Sequence, residues 1–186
     1  IDRGLDACYA LGLMPEHVFG DGDSASKAAW EWGEALANDV RLFDVAKDRT
    51  DTQLAIDALR KFACGIVTGA FGGRFDHAYS TIFSAAFAKP TLVLADEGEI
   101  VCFLRDREEL IFKCHEKPEA VSLLPMTEQV VGVNLTKMRW PLVNATLTQT
   151  MPYAVSNETL AEEFSVSIAG GVLALYMVFT CSQVPA

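Results

Sequence analysis

Basic side chains are in short supply in this chain: 15 Lys and Arg face 25 Asp and Glu, a formal net charge of −10. No run of them gathers anywhere, which argues against nucleic acid, whose phosphates are bound through such clusters. Cysteine is sparse and scattered. Cys8, Cys64, Cys102, Cys114 and Cys181 are odd in number and never spaced as CxxC. That usage points to reduced, mostly buried thiols in a cytoplasmic protein, not to a disulfide framework or a zinc site. Three well-separated histidines speak against a His-rich metal site. Long apolar runs are missing as well: the most membrane-like stretch, "IAGGVLALYMVF" at 168–179, is too short to span a bilayer. Its Gly-Gly pair suggests a turn, with a buried strand following. No signal peptide is visible, and the opening "IDRG", without Met, sets the expectation that a first strand is missing ahead of residue 1.

What the chain does have is two regions with different patterning. From residue 1 to about 98, helical and strand patterns alternate. "RGLDACYALG" reads as a short helix and "HVFGD" as a strand. Ser24 is placed to cap a helix through "ASKAAWEWGEALAND", and "VRLFDV" is a second strand. Thr50 caps the next helix, where Leu54, Ala55, Ala58, Leu59 and Phe62 form one apolar stripe. "CGIVTG" is a third strand, followed by a glycine-rich loop and an apolar helix to about Ala88, and "TLVLAD" closes the series. Alternation of this kind implies a mostly parallel sheet covered by helices. From 99 to 186 the segments are short and β-rich, such as "IVCFL", "LIFKCH", "AVSLLP", "VVGVNLT" and "VLALYMVF". The expectation is an α/β domain over 1–98 joined to an all-β sandwich or barrel over 99–186.

The chemistry concentrates in acidic loops that follow the strands of the first region. "GDGDS" at 20–24 puts Asp21 and Asp23 two apart, and "KDRTD" at 47–51 supplies Asp48 and Asp51. Two carboxylates about 5 Å apart repel by roughly 3 kcal/mol at an effective dielectric near 20, so their proximity needs a reason. Open α/β sheets bind ligands at the C-terminal ends of their strands. Asp2 occupies a comparable position if a strand precedes it, and "GAFGGRFDH" at 69–77 adds Arg74, Asp76 and His77. These loops are expected to converge. Mg2+ takes carboxylate, phosphate and water oxygens, and would resolve the repulsion. Arg74 suits phosphate, and glycines at 69, 72 and 73 would let backbone N–H groups approach phosphate oxygens. An EF-hand starting at Asp21 is excluded by Trp32 where Glu is needed. There is no GxxxxGK[ST], and "GAFGGR" does not match GxGxxG. Residues and spacing alone therefore leave two readings open, solvated turns or metal-dependent phosphate chemistry, and name no substrate.

Five ordered motifs add to that reading: "DRG" at 2–4, "GDGDS", "KDRTD", "GAFGGRFDH" and "SNET" at 156–159. Together they resemble the thiamine pyrophosphokinase family, which typically shows Asp-Gly-Gly, GDxDS, (K/Q)DxTD, GxxGGRxDH and a late Ser-Asn-Glu. "VSLLPM", "VVGVNLTKMRWPL" and the late Gly-Gly also resemble that family's sandwich domain. The resemblance implies ATP-dependent transfer of a pyrophosphoryl group to the hydroxyl of thiamine, giving thiamine diphosphate and AMP. It implies a homodimer with thiamine bound between subunits. It assigns Asp21, Asp23, Asp48 and Asp51 to catalysis, with Mg2+ on Asp21, Asp23 and Asp51. Asp2, Ser24, Thr50, Arg74, Asp76 and His77 fall to ATP, and Trp140, Leu147, Ser156 and Asn157 to thiamine. Thiamine carries a cationic thiazolium, for which an aromatic face offers about 0.5–2 kcal/mol. Two positions depart from the pattern: Arg3 replaces the first glycine of Asp-Gly-Gly, and Gly22 stands where the family usually has Phe, an exchange expected to loosen that loop. Neither removes a carboxylate. The alternatives are a non-catalytic nucleotide- or thiamine-binding homologue and a pyrophosphokinase acting on another small alcohol such as a pterin.

Overall fold

Ser26, not Ser24, starts the second helix. In the computed structural model, which describes residues 1–44 and 48–180, the Ser26 hydroxyl accepts from the Ala29 N–H at 3.3 Å. The Ser26 N–H donates to both Asp6 oxygens at 3.2 Å. Asp6, on the preceding helix, thus settles which serine of "DSAS" turns the chain into helix. Lys47 and Cys181, both used in the sequence reading, lie outside the described residues.

The chain divides into two units, Ile1–Phe62 and Ala63–Ala186. The first contains α1 (Gly4–Leu11), β1 (His17–Gly20), α2 (Lys27–Leu36), β2 (Asp39–Leu42) and α3 (Asp51–Ala58), with a short 3-10 turn over Leu59–Lys61. Strands β1 and β2 pair in parallel from His17↔Asp39 to Gly20↔Leu42. Leu5, Val18 and Ala29 form the small core between strand and helices. Thr50 caps α3 as expected, in a reciprocal box with Gln53: its hydroxyl accepts from the Gln53 N–H at 3.2 Å, and Gln53 Oε1 accepts from the Thr50 N–H at 3.1 Å. The buried face of α3 is not the expected stripe. Ile56 is its buried residue, whereas Phe62 is half exposed.

The second unit carries β3 (Cys64–Val67), α4 (Phe75–Ala86), β4 (Thr91–Ala95), β5 (Glu99–Leu104), β6 (Glu109–Lys113), β7 (Ala120–Pro125), β8 (Gln129–Leu135), β9 (Leu142–Thr148), β10 (Glu163–Ser167) and β11 (Leu173–Val178). Its sheets run β6-β10-β8-β9 and β3-β4-β5-β11-β7. Their facing side chains form one core: Leu135, Leu147, Phe164 and Val166 from the first sheet pack with Leu104, Leu123, Leu173 and Leu175 from the second. Burial of each such side chain contributes about 1.5–3 kcal/mol. The β-rich second part is therefore as expected, but a mostly parallel sheet ahead of it is not what forms. Among the described residues, parallel pairing is confined to β1–β2 and β3–β4, and β4 then pairs antiparallel with β5. The reason lies in "DEGE": the chain leaves β4 by a tight turn, with the Asp96 N–H donating to the Glu99 carbonyl at 2.9 Å. A turn that short reverses the strand; a parallel neighbour needs a long crossover.

Helix α4 ends under Arg105, whose guanidinium donates to the Ala86 carbonyl at 3.2 and 3.3 Å and to that of Ala88 at 2.9 Å. A cation on the last carbonyls satisfies groups the helix cannot pair itself. The thiols are free but less buried than expected: Cys8, Cys102 and Cys114 are half-buried and Cys64 is exposed. Among the described residues, no helix is long and apolar enough to cross a membrane.

Candidate functional site

Asp2 is the anchor of the acidic group in the first unit. Its backbone N–H donates to the Phe19 carbonyl at 3.1 Å, which ties the chain start to β1. Its φ of 33° lies in the left-handed region, a conformation Asp tolerates better than most residues. The carboxylate is 9% exposed and accepts from the Gly22 N–H at 3.1 Å. Room for it exists because residue 20 is glycine: a Cβ there would stand 1.9 Å from Asp2 Oδ1. Gly22 itself adopts φ 76°, with the Trp30 ring 3.4 Å from where its Cβ would be. The loop is thus tied by Asp2 at the position where loosening was expected, and Arg3 takes helical geometry ahead of α1.

Beyond β1, Asp21 accepts from the Asp23 N–H at 3.2 Å. Asp2, Asp21 and Asp23 each offer one carboxylate oxygen, all within 4.8 Å of one another. Burial pushes the Asp2 carboxyl above the ordinary range; the Gly22 N–H opposes this, while the charges of Asp51 and Asp21 add to it. Asp51, at the first position of α3, is therefore electrostatically coupled to the group. Asp48 is exposed, three residues earlier. An all-oxygen, multiply charged donor set of this kind suits a hard divalent cation such as Mg2+. The family resemblance implies Asp21, Asp23 and Asp51 as metal ligands; the geometry groups Asp2 with Asp21 and Asp23. Ser24 is exposed in the same loop, and the Thr50 hydroxyl is engaged as the cap of α3.

A testable consequence attaches to Asp2. Its folded pKa is raised, so its ionisation opposes folding: the cost is absent below the ordinary value of 3.8 and grows as pH rises through the folded pKa. Asp2→Asn keeps an acceptor for Gly22 and removes the charge. Thermal unfolding with a chelator present should find this variant more stable than the parent at pH 7, with the difference closing below pH 3.8.

The second unit holds the remaining candidates in two places. At the start of α4, Arg74 grips Asp76 with two bonds, Nε–Oδ1 at 3.0 Å and Nη2–Oδ2 at 2.5 Å. The His77 N–H also donates to Asp76, at 3.0 Å. The Arg74 partnership holds the Asp76 carboxyl below the usual range. The glycine loop before it is pinned by a residue that the sequence reading passed over. Asp96, at the end of β4, accepts from the Gly69 N–H and, at 3.0 Å, from the Phe71 N–H. Of the glycines at 69, 72 and 73 expected to bring N–H groups to phosphate, Gly69 has its N–H engaged by Asp96 in this structure. The signal for Asp96 was available, since "TLVLAD" ends in a carboxylate just past a strand, as β1 does.

Trp140 is 54% exposed and so is not sandwich core. Its backbone is clamped by buried Asn157: the Trp140 N–H donates to Oδ1 at 3.1 Å, and Asn157 Nδ2 donates to the Trp140 carbonyl at 2.6 Å. The Arg139 guanidinium lies over the indole at 4.9 Å and is paired with Glu158. Ser156, left-handed at φ 55°, donates its N–H to Ser122 Oγ at 3.0 Å. Leu147, expected to touch thiamine, is instead enclosed in the sandwich core at 1% exposure, because its position in β9 points inward.

Comparisons with known proteins agree with this picture over both regions. The family model described as "Thiamin pyrophosphokinase, catalytic domain" matches residues 1–94. The model described as "Thiamin pyrophosphokinase, vitamin B1 binding domain" matches 109–173. Thiamine pyrophosphokinase of Bacillus subtilis is 29% identical over 178 residues, spanning 93% of this chain and 83% of its own. The crystal structure of a thiamine pyrophosphokinase from that organism superposes with a TM-score of 0.83 at 26% identity, covering 96% of this chain and 85% of that one. The corresponding protein of Geobacillus thermodenitrificans gives 0.81 at 25% identity, covering 97% and 85%.

Proposed function

Since the chain belongs to the thiamine pyrophosphokinase family, whose members are ATP-dependent diphosphokinases, we propose how its own residues divide that work. The observation that carries the proposal is the gathering of Asp2, Asp21 and Asp23 oxygens within 4.8 Å in a chain matched by both family models. Asp2, Asp21 and Asp23 would hold Mg2+, with Asp51 and Asp48 completing the acidic set. When bound, the cation neutralises charge between carboxylates and triphosphate. Arg74, a fixed bidentate donor, serves the phosphates, and Asp76 orients it through their paired hydrogen bonds. His77, Ser24 and Thr50 belong to the nucleotide side, Thr50 by fixing the start of α3.

The thiamine hydroxyl attacks the β-phosphorus of ATP and AMP leaves, so positioning and charge neutralisation matter more than a strong protein nucleophile. One of the acidic side chains takes the hydroxyl proton. Trp140 offers its ring to the thiazolium, held in place by Asn157, with Ser156 beside it. In this division of labour, residues of 1–98 serve the nucleotide and residues of 99–186 serve thiamine. The working form is a cytoplasmic homodimer with thiamine bound between subunits.

The test is an assay with ATP, Mg2+ and thiamine. AMP and thiamine diphosphate are expected in equal amounts. ADP in place of AMP would point to a different kinase, and binding of either ligand without AMP would mean a non-catalytic homologue. Preference for a pterin in direct competition would reassign the acceptor.

A further inference from the structure

The glycine loop between β3 and α4 is held by Asp96. Gly69, at φ 74°, and Phe71 both donate their amides to its carboxylate, one to each oxygen. Ala70 between them is buried, and the Phe71 ring stands edge-on to Tyr176 of β11 at 6.5 Å. After that pinned segment come Gly72 and Gly73, with open space around both and φ 89° at the second. Arg74 follows at the N-cap position of α4.

We infer that Asp96 is a positioning residue for nucleotide use: its carboxylate shapes the 69–71 segment from the end of β4, and through the Gly72–Gly73 link it sets where Arg74 stands. This rests on the reading above that Arg74 serves the phosphates. The geometry assigns the carboxylate a permanent role as template. The opposite role is an internal anion that phosphate expels on binding. The two differ in sign. If Asp96 were a place-holder, removing its charge would tighten ATP; as a template, removing it loosens ATP.

Asp96→Asn is the sharp variant, because it keeps the shape but turns an NH2 toward one of the two amide donors. The expected result is a KM for ATP raised about tenfold or more, the scale of losing one hydrogen bond to a charged group. The KM for thiamine should stay within about twofold, a split that general loss of folding does not produce. Asp96→Glu, which retains both acceptor oxygens on a longer stem, should recover part of the loss. Amide exchange supplies a readout independent of activity: peptides covering 69–71 should lose protection in Asp96→Asn, while those of β5 and β11 keep theirs. An unchanged or lowered KM for ATP in an active parent overturns the inference and leaves the functional reading intact. A parent that forms no AMP overturns the functional reading and with it the role of Asp96 toward ATP. Unchanged protection over 69–71 overturns the template itself.

Discussion

Asp23→Asn lowers the rate of thiamine diphosphate formation at least about a hundredfold, the scale seen when one preorganised charge-stabilising group is removed from a transition state. The substitution keeps size and shape and deletes one negative charge from a group whose members lie within 4.8 Å. Asp23 is exposed, and removing its charge relieves repulsion in the group, so the unfolding midpoint should not fall below that of the parent. The loss should fall on kcat more than on the KM for thiamine, since the binding of that ligand is assigned to Trp140 and Ser156. Asp51→Asn, at the start of α3, should behave alike. Near-normal rates in both variants would remove these carboxylates from the mechanism.

Gly20→Ala is the second large effect, and it acts without touching a charge. The new methyl would lie 1.9 Å from Asp2 Oδ1, 2.3 Å from Cγ and 2.7 Å from Oδ2. No heavy atoms pack so closely, so the Asp2 carboxylate must leave, and the Gly22 N–H loses its acceptor. Overpacking of this kind costs about 1–3 kcal/mol, and turnover should fall as far as in Asp2→Ala. Denaturant unfolding in two backgrounds isolates the cause. In Asp2→Ala the clashing atoms are gone, so the same Gly20→Ala change should cost less, the remainder being the strain of an alanine at φ 155°. An equal cost in both backgrounds would mean that the strain lies elsewhere.

The parts of the fold that could be read from sequence are those whose signal is local. Thr50 was legible as a cap because its hydroxyl, Gln53 and the helix lie within four residues. The strands at 17–20, 64–67 and 91–95 announced themselves as short apolar runs between turn residues. Ser26 was missed for Ser24 because the deciding partner, Asp6, is twenty residues away. Ile56 was missed because the stripe on α3 was drawn from spacing, whereas packing against β1 picks the buried face. Strand β9 hid inside a segment read for ligand contacts. Strand β10 hid in "EFSVS", where only Phe164 and Val166 face inward. The antiparallel join of β4 to β5 depended on one tight turn, which alternation of helix and strand does not report.

The candidate site divides the same way. Asp21 and Asp23 were legible as a pair because a single residue separates them, and their residue types left a solvated turn or a cation site open. Asp2 joins them through a backbone bond to Phe19 and a glycine-shaped gap at position 20, neither of which a motif encodes. Leu147 carried a family role and turned out to be core, since alternation along β9 assigns it the inward face. Asn157 looked like a ligand contact by its motif; its amide is engaged by the backbone of Trp140 and by the Glu158 N–H at 2.9 Å, which makes it a brace.

The join between β4 and β5 has a practical outcome for anyone trimming this chain. Leu94 and Ala95 face Val101 and Ile100 across that pairing, so a cut near residue 98 would not release a finished piece. It would bare a row of backbone donors and acceptors beside fully buried Leu92 and Leu94, an invitation to sticky association between molecules. The remainder, starting at 99, would lose the two strands that complete its larger sheet. The portions named for nucleotide and for vitamin are thus woven through one shared layer, and neither should be obtained whole by severing the other.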